Sequence, residues 1–196
     1  MSTALLIVDV QNDFCPGGAL QTPQGDKVVP VINKMMDKFS LIIASRDWHP
    51  ESTNHFDKWP THCVRETYGA EFPVKLRIEK FDQIFDKGTG TKDDGYSAFE
   101  ATNYNLLEYL KENKVDELFI TGLTAEYCVK STVLDALNHG FKTLVIKEAV
   151  EGIRNQEDDF MNSFIEMKKA GAIIVEDWKE IPKQYIERVN KQDLIM

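Results

Sequence analysis

Short apolar runs rich in Ile, Leu and Val recur along the chain, at residues 4–8, 41–45, 117–121, 143–146 and 172–175. None alternates with the period of two that a half-exposed strand shows. A strand apolar on both faces belongs inside a parallel sheet covered on each side. Between these runs, helical periodicity predicts helices over 28–39, 101–113, 126–139 and 158–170. Gly140 and Gly171 stand where they can end the last two in a left-handed conformation. Strands alternating with helices form βαβ units, so the chain reads as an α/β protein: three layers, α/β/α, around a doubly wound and mainly parallel sheet.

Composition narrows the function more than the fold. A length of 196 residues suits a single domain, 1–196, and the chain carries no repeat, low-complexity tract or linker. With 23 Lys and Arg against 32 Asp and Glu, the formal charge is −9. That balance argues against nucleic acid or an anionic membrane as partner, because counterion release needs clustered cations. No apolar run approaches the roughly 20 residues of a spanning helix. The first ten residues, MSTALLIVDV, run almost at once into a strand, without the basic and apolar regions of a secretory leader, and a cytoplasmic location is expected. Cys15, Cys63 and Cys128 are too few and of the wrong parity for a disulfide framework, so reduced thiols are expected.

The stretch 46–95 breaks the rhythm of strand and helix while holding three of the four histidines and two of the three tryptophans. Loops that long inside a compact domain are usually functional. Ligands of open α/β sheets sit outside the carboxyl ends of the strands, and four such places carry chemistry. Asp9 follows the first run; a carboxylate there is either a turn cap or a paired, working group. Asp47 and His49 follow the second run two residues apart, on one side of an extended segment. His55 and His62 can complete a site of three imidazoles and one carboxylate. Cys63, beside His62, reads as a buried structural thiol, with a softer ligand as the other reading. Lys87 ends a short apolar patch. Cys128 lies where a strand turns through Gly122 into a helix, so the helix end and any nearby lysine would raise its thiolate fraction. A doubly wound fold could bring Asp9, Lys87 and Cys128 into one cleft as proton carrier, activator and nucleophile.

Five segments carry a resemblance in order: Val-Asp-Val-Gln-Asn-Asp-Phe (8–14), Ser-Arg-Asp-Trp-His-Pro (45–50), Trp-Pro-Thr-His-Cys-Val (59–64), Phe-Asp-Lys-Gly (85–88) and Gly-Leu-Thr-Ala-Glu-Tyr-Cys-Val (122–129). Over about residues 4–178 the chain resembles the nicotinamidase/pyrazinamidase branch of the isochorismatase-like cysteine hydrolases. The resemblance implies deamidation of nicotinamide, a step of NAD salvage, with Cys128 as nucleophile, Asp9 as proton carrier and Lys87 beside the thiolate. It implies one divalent metal ion, zinc or else iron or manganese, on Asp47, His49, His55 and His62, holding the pyridine nitrogen. Phe14 and Trp59 would sandwich the ring and Tyr96 line the pocket. A cis Leu123–Thr124 peptide would aim the amides of Thr124 and Cys128 as an oxyanion hole. The partner is then a small-molecule amide, neither nucleic acid nor membrane, and a homo-oligomer stays open.

Two departures bear on rate and substrate breadth. Thr124-Ala125-Glu126 stands where the family usually has Ala-Thr-Asp, and Arg65-Glu66-Thr67 where small or neutral residues are usual. Two other readings remain: an amidohydrolase of a carbamoyl or ureido substrate, whose relatives lack the histidine motifs, and a non-catalytic metal-binding module, against which Asp9, Lys87 and Cys128 count.

Overall fold

Leu5, Leu6 and Ile7 have no exposed surface, because β1 (Ser2–Val8) runs through the middle of a sheet with helices against both faces. Burying each such side chain contributes about 1.5–3 kcal/mol. The computed structural model describes residues 2–154, 156 and 158–181. The remaining strands are β2 (Ile42–Asp47), β3 (Gln83–Lys87), β4 (Val115–Leu123), β5 (Lys142–Glu151) and β6 (Ile173–Val175). They lie in the order β3-β2-β1-β4-β5-β6, every neighbouring pair parallel. Alternate residues of β1 feed two separate cores. Leu5 and Ile7 pack with Val28, Ile32 and Met35 of α1 (Val28–Met36). Ala4, Leu6 and Val8 join a cluster with α2 (Leu106–Glu112), α3 (Lys130–Asn138) and α4 (Asp159–Ala170). The three-layer, doubly wound reading therefore holds. The single domain expected over 1–196 extends beyond the described residues. Among those described, no helix is long and apolar enough to cross a membrane.

Four expectations need correction in detail. The stretch 46–95 contains a strand, β3, hidden by its mixed composition; it is an edge strand, and an edge does not require apolar residues on both faces. The helix expected over 101–113 begins only at Leu106. Residues 102 and 103 are instead pinned to β3: the Thr102 amide donates to the Asp86 carbonyl, and the Asn103 side chain accepts from the Asp86 amide and donates to the Ile84 carbonyl. The helix expected over 126–139 starts as a wider π-helical turn, Ala125–Val129, before α3 proper. α1 stops at Met36, three residues early, where the Asp37 and Lys38 amides both turn back to the Met35 carbonyl. Gly140 and Gly171 take the expected left-handed conformation, with φ of 86° and 115°.

Candidate active site

The sheet order reverses between β1 and β4, and the catalytic candidates gather at that switch point. Asp9 follows β1 at once in a left-handed conformation (φ 48°), one that Asp tolerates better than most residues. Its Oδ1 accepts from the Ser45 hydroxyl at 2.7 Å, and its Oδ2 lies 2.8 Å from Lys87 Nζ. Lys87 ends β3 opposite Asp47 of β2 and is wholly buried. Its ammonium pairs with Asp47 Oδ1, donates to the Gly95 carbonyl at 2.7 Å and stands 3.5 Å from Cys128 Sγ. Its three N–H bonds are taken by Asp47, the Gly95 carbonyl and Cys128 Sγ, and Asp9 faces the same ammonium as an ion pair. Cys128 itself sits in the π-helical turn, 7% exposed.

Electrostatics assigns these groups different resting states. Burial pushes Asp9 up to about 6 despite the opposing Lys87 charge. Burial also works against the Lys87 ammonium, but Asp47 and Asp9 outweigh it and hold Lys87 well above the ordinary lysine range. Asp47 lies below the carboxylate range because Lys87, His49 and His62 overcome the cost of its burial. For Cys128 burial dominates; Lys87 pulls down, Asp9 and Asp47 push up, and the thiol ends well above its ordinary value. This corrects the expectation of a raised thiolate fraction: helix position and lysine do not offset burial among carboxylates, and the resting group is a thiol beside a base.

A second cluster adjoins the first. His49, His55 and His62 bring ring nitrogens within 4.8 Å of one another. Each Nδ1 has a fixed acceptor: the Gly88 carbonyl at 2.8 Å for His49, Asp93 Oδ1 at 2.8 Å for His55 and the Pro60 carbonyl at 2.6 Å for His62. With Nδ1–H donating, each Nε2 presents a lone pair inward. His49 Nε2 is buried without a hydrogen-bond partner, 3.7 Å from Asp47 Oδ2, and His62 Nε2 lies 3.9 Å from the same oxygen. Burial lowers His55 and takes His62 down to about 4, so both favour the neutral form that binds metals. Three inward lone pairs, one of them on the orphaned His49 nitrogen, and one carboxylate oxygen fit a divalent cation. Asp9, Asp47 and Cys128 also cluster, but the Lys87 ammonium already contacts all three. Cys63 is buried outside both groups, its Sγ 4.0 Å from the Gly69 carbonyl, as a structural thiol.

A cavity opens over both clusters, with Asp47, His55, His62, Thr124 and Cys128 on its wall beside Phe14, Trp59 and Tyr96. Trp59 Nε1 donates to the Tyr96 hydroxyl at 3.0 Å, and the Trp59 and Tyr127 rings meet edge to face at 4.7 Å. Asp9, Lys87 and His49 are not on the wall, but each adjoins a residue that is. The peptide Leu123–Thr124 is cis, as the resemblance implied.

Sequence reasoning missed the residues that hold these groups in place. Gln11 brackets the Asp47 backbone: its side chain accepts from the Asp47 amide at 2.8 Å and donates to the Asp47 carbonyl at 2.8 Å. Asp13 accepts from the Cys63 amide at 2.7 Å and the Ala19 amide at 3.1 Å. Asp93 accepts from both His55 and the Tyr96 hydroxyl, tying the histidine cluster to the pocket wall. Leu20, Tyr127 and Ile153 also line the cavity. Only Gln11, polar at the end of a buried run, left a signal in the sequence.

The isochorismatase domain matches residues 3–177. The chain belongs to the isochorismatase family. Within it, the chain is 38% identical to a nicotinamidase of Escherichia coli, over 90% of this chain and 97% of that one. It is 33% identical to a nicotinamidase/pyrazinamidase of Mycobacterium tuberculosis, over 88% and 97%. Pyrazinamidase of Pyrococcus horikoshii in complex with zinc superposes with a TM-score of 0.81 at 44% identity, covering 89% of this chain and 99% of that one. This isochorismatase-family site thus pairs a cysteine, carboxylate and lysine set with a histidine-rich cation site in one cavity.

Proposed function

We propose that the chain hydrolyses nicotinamide to nicotinate and ammonia, and pyrazinamide likewise, as one cytoplasmic domain whose partners are small amides. The observation that carries this reading is the placement of Cys128, with Asp9 and Lys87 at its back, against the three-histidine cluster in a single cavity. The named activities of its relatives support it. Cys128 Sγ attacks the carboxamide carbon as Asp9 takes the thiol proton. Collapse of the tetrahedral adduct expels ammonia, which leaves with that proton, and a thioester remains. Asp9 then takes a proton from water, whose oxygen displaces the thiol as nicotinate forms. Lys87 offsets the negative charge that develops on sulfur 3.5 Å away. The amides of Thr124 and Cys128 serve the oxyanion, each donor contributing about 2.7–4 kcal/mol.

Asp47, His49, His55 and His62 would hold a divalent ion, zinc in first place and iron or manganese after it, and that ion supplies an anchor for the pyridine nitrogen. Phe14 and Trp59 cover the ring faces and Tyr96 lines the wall. The test is ammonia release from nicotinamide, pyrazinamide and benzamide by protein of measured metal content. Turnover of the first two, with benzamide at least tenfold poorer in kcat/KM, is expected. No ammonia from nicotinamide overturns the activity, and equal turnover of benzamide overturns the anchoring of the nitrogen.

A further inference from the structure

Glu126 shares the π-helical turn with Cys128, yet its buried carboxylate is directed at a different loop. Oε2 accepts from the Ile153 amide at 3.2 Å and Oε1 from the Arg154 amide at 2.9 Å. Convergence of consecutive amides on one anion makes a small backbone nest, and it holds Arg154 in a left-handed conformation, φ 59°. The fit is tight. A Cβ on Gly152 would come within 2.3 Å of Glu126 Oε1. The Arg154 guanidinium is fixed as well, 3.1 Å from Glu151 and 4.1 Å above the Phe160 ring. The residue so held, Ile153, lines the cavity, where it and Leu20 are the two aliphatic residues among aromatic and polar ones.

We propose that Ile153 is a specificity-determining wall of the ring pocket and that Glu126 is the positioning residue that keeps it there, so that the cavity discriminates nicotinamide from nicotinamides substituted on the ring. The inference rests on the nicotinamidase reading. If Phe14 and Trp59 cover the two faces of the ring, the remaining walls meet its edge, and an edge is where a ring substituent projects. A branched aliphatic side chain on a tethered loop is a steric stop there. Stacked aromatic faces tolerate such a substituent.

The test compares kcat/KM for nicotinamide with that for each singly ring-methylated nicotinamide, in the wild type and in Ile153→Val, Ile153→Ala, Glu126→Gln, Glu126→Asp and the Ile153→Ala/Glu126→Gln double variant. One methylene in a pocket is worth roughly 10- to 200-fold in such a ratio. For at least one methyl position, Ile153→Ala should raise the relative kcat/KM about tenfold or more, and Ile153→Val should raise it less. Glu126→Gln should shift the same ratio, chiefly through KM, and should add less than twofold once Ile153 is Ala, because its effect passes through that side chain. Glu126→Asp, which keeps the charge but shortens the reach, should fall between Gln and wild type. Ratios within twofold of wild type for both Ile153 variants would overturn the specificity role. An equal Glu126→Gln effect in both backgrounds would overturn its action through Ile153. A wild type inactive on nicotinamide would instead overturn the functional reading itself.

Discussion

Cys128 is a thiol whose proton has one neighbour able to take it. Burial and two carboxylates disfavour its free ionisation, while Asp9, held up to about 6, is an acceptor with a proton affinity suited to neutral solution. Cys128→Ala should therefore release no ammonia while keeping metal content and fold, whereas Cys15→Ala and Cys63→Ala, outside the cavity wall, should retain substantial activity. Ammonia assay and metal analysis on the three variants check this. The same argument sets a pH dependence. The base acts only when ionised, and its pKa is raised, so kcat/KM should fall as pH drops through about 6, tenfold per unit beyond it. An acidic limb near 4, the ordinary carboxylate value, would show that burial does not hold Asp9 up.

Turns after the strands carry the site, and their geometry leaves little room for substitution. Gly88 follows β3 with φ 63°, and a Cβ there would approach the His49 Cε1 atom within 2.5 Å. Gly88→Ala should cost at least 1 kcal/mol through backbone conformation alone. It should also push His49 off the carbonyl that orients it, so metal retained after dialysis should fall along with Tm. How much could be read from the sequence differs by element for the same physical reason. β1, β4 and β5 are buried on both faces and announce themselves as apolar runs; β3 lies at an edge and does not. Asp9, Asp47, His49 and Cys128 were legible because strand ends mark where ligands bind. Asp13, Asp93 and Glu126 were not, because each acts on backbone or on a histidine 27 to 50 residues away in sequence, a relation that no local pattern carries; Gln11 showed only as a polar residue after a buried run.

The two cores, one on each face of the sheet, are built mainly from apolar side chains of strands and helices, so the molecule should keep its fold without metal. Metal should act on the loops instead. At one hundred times its dissociation constant an ion adds about 2.7 kcal/mol, or roughly 5–11 °C in Tm for a chain of this size. Hydrogen exchange after chelation should show lost protection at residues 49–65 and 88–96 with β1 and β4 unchanged; loss throughout the sheet would contradict that division. Lys87 crosses the division, because its single ammonium pairs with both Asp9 of the proton-transfer set and Asp47 of the cation site. The consequence reaches into how such a chain can diverge. A substitution that alters charge on either side changes the field felt on the other, so the two halves cannot drift independently. Exchanging the charged ion-binding residue for a neutral one should therefore also move the acidic limb of the pH profile, although that limb belongs to Asp9.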